Sequence, residues 1–512
     1  MLGLESALAA AMLILPALTA AAAFVFGRRS PRRIGQAGAM VAGAAFLGAV
    51  ALCAASGRGH SVSWNLLGAE FGLDRLSAVL LLLVFGVSAI VQAYAVRYLA
   101  GDPRAYWFVG GAGLLTAASA GLTTASTLVT LALCWTLAGV ALCLLLGTYW
   151  HLPAARDGVR RTAIAFGLGD LALWAGVAVA SATWGRIDLQ SGAGGELAGA
   201  VPAVLGVLVV IAALSRSAQI PLHRWLPATL AAPTAVSALL HAGVVNAGGI
   251  LLIRLAPLSS DDLARALIIG AGAATMAYGA VVMLVKPDVK GALAHSTTAQ
   301  MGFMILTCGL GLWAAAVIHL VAHGFYKATL FLSSGSAIAA RRRHESLPPA
   351  RRTGRGVALL NGAAAVALPS VALAAAVSLI PLAPGEHAAE QALLIFAWVT
   401  GAAATWGWLG RRPGPGGLTA AAAFLIPAAI AYVAVINTVS GFLAPALPAE
   451  TLPVAAVWAI TAAAALALGA LALTRWAPGA EPLRRAIYAN ALAAGHIPAH
   501  HSSPVLPTGA RL

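Results

Sequence analysis

Apolar runs of about 20 residues, the length that crosses a bilayer as a helix, recur along the whole chain with short polar gaps between them. The pattern predicts helical spans at roughly 4–26, 34–55, 76–96, 106–121, 124–147, 161–184, 200–219, 233–255, 263–285, 292–308, 312–338, 356–381, 388–409, 418–443 and 452–474. The expected fold class is therefore all-α: a polytopic transmembrane helical bundle of about 14–15 helices. Residues 1–476 would form the bundle. Residues 477–512 would form a cytoplasmic tail with a short surface helix in PLRRAIYANALAAGHIPAH and a disordered end from Ser502 to Leu512. Pro221, Pro227 and Pro233 crowd the start of the eighth span. Proline removes a backbone donor, so the helix must break there. Either the break lines a wet cavity within the protein or residues 220–232 are a plain loop between two helices.

The charges fit this pattern. The chain carries 31 Lys and Arg against 16 Asp and Glu, and 24 of the 31 fall in alternate gaps, as the positive-inside rule requires. The asymmetry predicts the N-terminus outside and the C-terminus in the cytoplasm. The first span has Glu5 before it and Arg28, Arg29, Arg32 and Arg33 after it, so it reads as an uncleaved helix and not a signal peptide. A formal net charge of +15 does not indicate nucleic acid, because the basic residues form no aromatic-rich face. Mean hydropathy is +0.88 and only 9% of residues are charged, which excludes the soluble globular classes. Cys53, Cys134, Cys143 and Cys308 are scattered through apolar runs with no C-x-x-C pair, which argues against disulfides and a zinc site. No phosphate-binding loop, haem or iron–sulfur motif, or carboxylate pair stands out, so no cofactor is expected.

A few titratable groups lie where such groups are costly. Insertion of Arg or Lys at membrane depth costs about 2.5–3.5 kcal/mol, so each is a functional candidate. His319, His323 and Lys327 are spaced i, i+4, i+8 and share one face of a helix. A histidine titrates near neutral pH, and such a row can pass protons through intervening water. The plainer explanation for any one histidine is a hydrogen bond to a neighbouring carbonyl. Asp170 is the acidic residue well inside a span, and Arg216 is its natural partner. That pair is either a static clamp or a switched ion pair, with Arg216 acting electrostatically because arginine stays protonated. His241 sits in mid-span, and His295 is followed by Ser296, Thr297, Thr298 and Gln300. Glycines 243, 248 and 249 suit close helix packing. His60, His151, His223, His344, His387, His496, His500 and His501 fall in loops or tail and read as solvated.

The segments SRSAQIPLHRWLPATLAAPTAVSALLHAG, VKPDVKGALAHSTTAQMGFMIL and AAVIHLVAHGFYKATLFLSSGS resemble the proton-translocating, antiporter-like subunits of complex I and of Mrp-type Na⁺/H⁺ antiporters. The resemblance is specific over about 70–340, and the antiporter-like core would run to about 410. It implies two inverted repeats with broken helices around a central hydrophilic axis. Lys327 matches the family's central lysine, Asp170 an acidic residue of its ion-pair region, and His319 and His323 its histidines. His241 stands where the family has His or Lys. Arg216 replaces a proton-exchanging lysine, and Thr136 replaces a key glutamate. Between Arg355 and Arg411 only Glu386, His387 and Glu390 ionise, so the pumping relay is reduced. The details resemble most closely the DabB branch. That branch implies a partner of the DabA type, a zinc protein related to β-carbonic anhydrases, with the zinc in the partner and with cation flow (H⁺ or Na⁺) driving CO₂ conversion to bicarbonate. A subunit of a complex I, hydrogenase or Mrp assembly is the alternative, and a non-conducting membrane scaffold the third reading. The basic loop Arg341–Arg355 would meet a partner or anionic membrane lipids.

Overall fold

The computed structural model describes residues 3–336, apart from 61, 190–200 and 260, then 355–381, 388–448 without 413, scattered positions in 453–479, and 481–496. The helices are α1 (Leu4–Phe26), α2 (Pro31–Gly57), α3 (Arg75–Tyr98), α4 (Ala105–Thr124), α5 (Leu128–Leu146), α6 (Pro153–Trp184), α7 (Val201–Arg216), α8 (Thr234–Ala242), α9 (Ala247–Arg254), α10 (Asp262–Val285), α11 (Val289–Gly309), α12 (Trp313–Leu332), α13 (Arg355–Leu379), α14 (Ala388–Arg411), α15 (Pro415–Leu443) and α16 (Glu481–Gly495).

The apolar runs become helices because a backbone in hydrocarbon must satisfy its polar groups internally. Among the described residues, twelve segments are long and apolar enough to cross a membrane, with α8 and α9 counted as one span. α7 is shorter and α11 carries more polar side chains. Together these account for fourteen of the fifteen expected spans; 452–474 lies almost wholly outside the described residues. The chain is a multi-pass membrane protein.

The hydropathy pattern does not foresee a hairpin. β1 (Val62–Leu66) pairs antiparallel with β2 (Ala69–Leu73). Leu67 and Gly68 turn between them with φ of +54° and +85°, the left-handed pair that a two-residue hairpin turn needs. Behind the hairpin, Asp74 caps α3 and holds Arg254 at the end of α9. One Arg254 nitrogen lies 2.9 Å from Asp74 Oδ1 and reaches the Thr123 carbonyl at 3.1 Å. Burial works against the Asp74 carboxylate, yet the Arg254 charge and hydrogen bonds hold it below the usual carboxylate range.

The described chain divides into two compact units. The first comprises Met1–Leu310, Leu320–Gly335 and Ala459–Leu512; the second comprises Gly311–His319 and Ser336–Trp458. The second unit is built on α13, α14 and α15 around Ala372, Ala376, Ala429 and Val433. The candidate chemistry lies almost entirely in the first.

Candidate ion-translocation site

α7 stops at Arg216. Ala218 adopts φ +50°, a left-handed conformation that costs a non-glycine residue about 1–2 kcal/mol, and the chain leaves the helix. The segment that follows is tied down rather than loose. Gln219 N–H donates to the Leu214 carbonyl at 2.9 Å, Trp225 Nε1 to the Ser215 carbonyl at 3.0 Å, and Ile220 N–H to Thr275 Oγ1 at 2.9 Å. The segment is a connection between two helices, as the plainer reading of the proline cluster has it, but a partly buried one: Trp225, Leu226 and Pro227 are all inside the protein.

This turn fixes Arg216 in the core, where it is 1% exposed. Its guanidinium donates to Asp170 Oδ1 at 2.8 Å and to the Trp135 carbonyl at 3.2 Å. It lies between the Trp135 ring, 4.4 Å away, and the Phe166 ring, 4.1 Å away. Two aromatic faces and a carboxylate offset the desolvation of a buried cation. Gly139 makes the fit possible, since a Cβ there would meet the guanidinium at 3.0–3.3 Å. Trp135 Nε1 also donates to Asp170 Oδ1, at 2.8 Å. The Asp170 side chain remains 19% exposed and lines a cleft of about 630 Å³ together with Arg104, Trp107, Cys143, Trp150 and Phe166. Thr136, at the family's glutamate position, accepts a hydrogen bond from Trp174 Nε1 at 3.0 Å.

The second group gathers on a broken helix. α8 ends at Ala242 and α9 begins at Ala247, with a short 3₁₀ turn between. A helix end leaves carbonyls without backbone partners, and here side chains take them. His323 Nε2 lies 3.1 Å from the His241 carbonyl. A carbonyl accepts only, so Nε2 carries the hydrogen and Nδ1 becomes the nitrogen that gains or loses a proton. Asn246 Nδ2 donates to the Ala242 carbonyl at 2.8 Å and approaches the Leu320 carbonyl at 3.5 Å. Ser217 Oγ donates to the Val245 carbonyl at 2.7 Å, joining the break to the turn after Arg216. The His241 ring stacks on Phe331, with centroids 4.4 Å apart.

Lys327 is fully buried and donates to Ser296 Oγ at 2.8 Å, which ties α12 to α11. His295, beside that serine, is also fully buried. His319 lies on the same face of α12, in the segment assigned to the second unit, with its ring edge toward Phe396 at 6.2 Å. The structure thus brings His241, His323, Lys327 and His295 onto three adjoining helices and pairs Arg216 with Asp170. A cavity of about 50 Å³, lined among others by Arg216, Gly243, Asn246, Ser88 and Thr116, borders both Arg216 and the break between α8 and α9. At ~15 Å³ each it has room for about three waters. Asn246 Oδ1 is buried with no protein partner, as a water site requires.

Sequence reasoning missed three residues. Asn246 is an amide in the middle of an apolar run, a signal as plain as the charges. Trp135 could be found only once its indole was seen to share Asp170 with Arg216. His223 was expected to be solvated. It is instead half-buried, with its ring 4.6 Å from that of Tyr278, because the turn after α7 folds inward and carries it against α10.

Family models match over most of this architecture. The model described as NADH:quinone oxidoreductase/Mrp antiporter, TM covers residues 125–408, and that for the N-terminus of complex I chain 5 covers residues 66–109. The chain belongs to this antiporter-like transmembrane family. Among curated proteins it is similar to the probable inorganic carbon transporter subunit DabB1 of Halothiobacillus neapolitanus, 35% identical over 76% of this chain and 74% of that one. It is 34% identical to the probable subunit DabB of Bacillus anthracis, over 52% of this chain and 53% of that one. It is 37% identical to NADH-quinone oxidoreductase subunit L of Mycobacterium tuberculosis, over 54% of this chain and 45% of that one. The fold matches a chain of the Mrp complex from Dietzia sp. with a TM-score of 0.60 and 24% identity, over 95% of this chain and 60% of that one.

Proposed function

We propose that this chain is the membrane subunit of an inorganic carbon (CO₂/bicarbonate) pump and that it conducts protons, or another cation, to drive a DabA-type zinc partner. The observation that carries the reading is the fully buried Lys327 on a serine of α11, one helix face with His319 and His323, in a chain whose similarity to DabB1 extends over three quarters of both proteins.

In this account Lys327 holds a proton and releases it through Ser296 and nearby water toward His295, and His323 exchanges at Nδ1. His241 completes the row. Arg216 carries no proton; its fixed charge sets whether Asp170, open to the 630 Å³ cleft, is occupied by a proton. When Asp170 takes one, the ion pair weakens, and the Arg216 field is then felt more strongly across the Asn246 cavity. The pair is thus proposed as a switched element and not a static clamp. The zinc chemistry would belong to the partner. The chain would sit in a bacterial inner membrane with its N-terminus outside and its tail in the cytoplasm, following the charge asymmetry.

The second reading, an antiporter-like subunit of a complex I, hydrogenase or Mrp assembly, draws on the family model and the Mrp fold match. Affinity purification of the tagged chain from its native membrane separates the two. Stoichiometric recovery of a zinc-containing, carbonic-anhydrase-like protein is expected; recovery of quinone-module or Mrp subunits in its place would overturn the carbon-pump reading.

A further inference from the structure

From His295 of the Lys327 group, a second polar row of three side chains branches off. The Tyr278 ring of α10 stands edge-on to His223, with centroids 4.6 Å apart, and to His295, 5.9 Å apart. Both ring nitrogens of His295 and Nδ1 of His223 are buried with no hydrogen-bond partner in the protein. Three such atoms in one place call for water or another mobile polar species, because an unpaired buried polar group costs about 1–3 kcal/mol or more. The row runs from the bundle interior toward the end that carries Arg224 and Lys286.

The tail helix α16 covers that end. Tyr278 and Val282 lie one turn apart on one face of α10, Lys286 follows directly after its end, and all three meet α16. Tyr278 Oη donates to the Ala494 carbonyl at 3.1 Å, and Lys286 Nζ to the Gly495 carbonyl at 2.6 Å. These are carbonyls of the last turn, which a helix leaves unpaired, and the Lys286 charge complements the negative end of the helix dipole. The approach is close enough that a Cβ on Gly495 would sit 2.6 Å from Val282 Cγ1. Leu483, Tyr488 and Arg485 of α16 face outward, so the helix is held mainly at its C-terminal end. A helix docked through one end, on the hydroxyl of the tyrosine whose ring meets two histidines, is built to let go.

We propose that α16 is a latch over the His223–Tyr278–His295 row, and that its release opens this row to the aqueous phase as a second route for ions into the bundle. The purpose of the latch rests on the conduction reading above; its existence does not. The test uses the intact complex, comparing wild type with Gly495→Leu, which forces the helix end away, and with Lys286→Met, which removes the anchor. Histidine labelling by diethyl pyrocarbonate is followed peptide by peptide, and proton leak is measured after reconstitution. Labelling of His223 and His295 is expected to rise about fivefold or more in both variants, as for any locally opened segment, while buried His241 stays unchanged. Equal labelling in wild type and variants, or a rise that includes His241 and so reports general loosening, overturns the latch. Labelling that rises with no change in leak leaves the latch standing and overturns the second ion route, while failure of the conduction reading itself would show as wild-type flux no faster than empty liposomes.

Discussion

The two compact units are built from the same material and used differently. Each is a set of apolar, alanine-rich helices. The first buries Arg216, Lys327, His241, His295 and His323. Among the described residues of the second, His319 is the one buried titratable side chain, no Lys, Arg, Asp or Glu is buried, and the core is Ala372, Ala376, Ala429 and Val433. Its polar contacts involve neutral groups: Thr405 Oγ1 donates to the Gly401 carbonyl one turn back, and Tyr432 Oη of α15 to the Leu393 carbonyl of α14. Helix length and hydropathy set the membrane fold in both units, while the turn after α7 and the break between α8 and α9 bring Arg216 and His241 to the buried titratable groups of the first.

That contrast can be broken by substitution. The largest effect is expected for Lys327→Ala, which removes the proton holder: CO₂-dependent growth rescue falls by about 100-fold or more, the scale of a lost proton-transfer group, with the complex still assembling. Asp170→Asn should come next. It leaves Arg216 buried without its counter-charge, at a cost of about 2–3 kcal/mol, below the fully buried range because Asp170 borders an open cleft. A thermal-stability scan of the purified complex reads this directly. The double change Asp170→Leu with Arg216→Met should recover most of the stability and none of the transport; recovery of both would reduce the pair to a clamp.

A smaller effect is expected at the Asp74–Arg254 pair. The Asp74 carboxyl is held below its ordinary range, so its contribution is fully present above the unfolded-state value and is lost as pH falls through the depressed one. Asp74→Asn should therefore cost about 1–2 kcal/mol near neutral pH and should flatten the acid limb of the stability curve. An unchanged acid limb would show that the pair carries no linkage. The smallest effect belongs to the second unit: Thr405→Val should shift stability by less than about 1 kcal/mol and leave transport at the wild-type level, and a transport defect there would erase the division drawn above.

The residues proposed to form the site were mostly legible in the sequence, because a charge in a membrane run has few innocent explanations. Asp170 and Arg216 announced each other as the carboxylate and the guanidinium without any other partner at their depth. The four-residue spacing of His319, His323 and Lys327 is by itself enough to set them on one helix face. What the pattern could not carry was three-dimensional pairing. Trp135 reads as one more apolar residue until its indole donates to Asp170. His223 reads as a loop residue until the turn after Arg216 folds inward. The hairpin at Val62–Leu73 was hidden because its strands are short and its turn begins with Leu67, a residue that rarely adopts positive φ. The surface helix expected in the tail is α16, but its docking on Tyr278 and Lys286 depends on the position of α10, which no local pattern encodes.

The central claim is that titratable groups in the first unit carry ions past them. It is tested most directly by proton flux into liposomes containing the purified complex under an imposed pH gradient, comparing wild type with Lys327→Ala at matched protein incorporation. The account predicts rapid dissipation by wild type and a rate near that of empty liposomes for the variant. Equal dissipation by the two would contradict it.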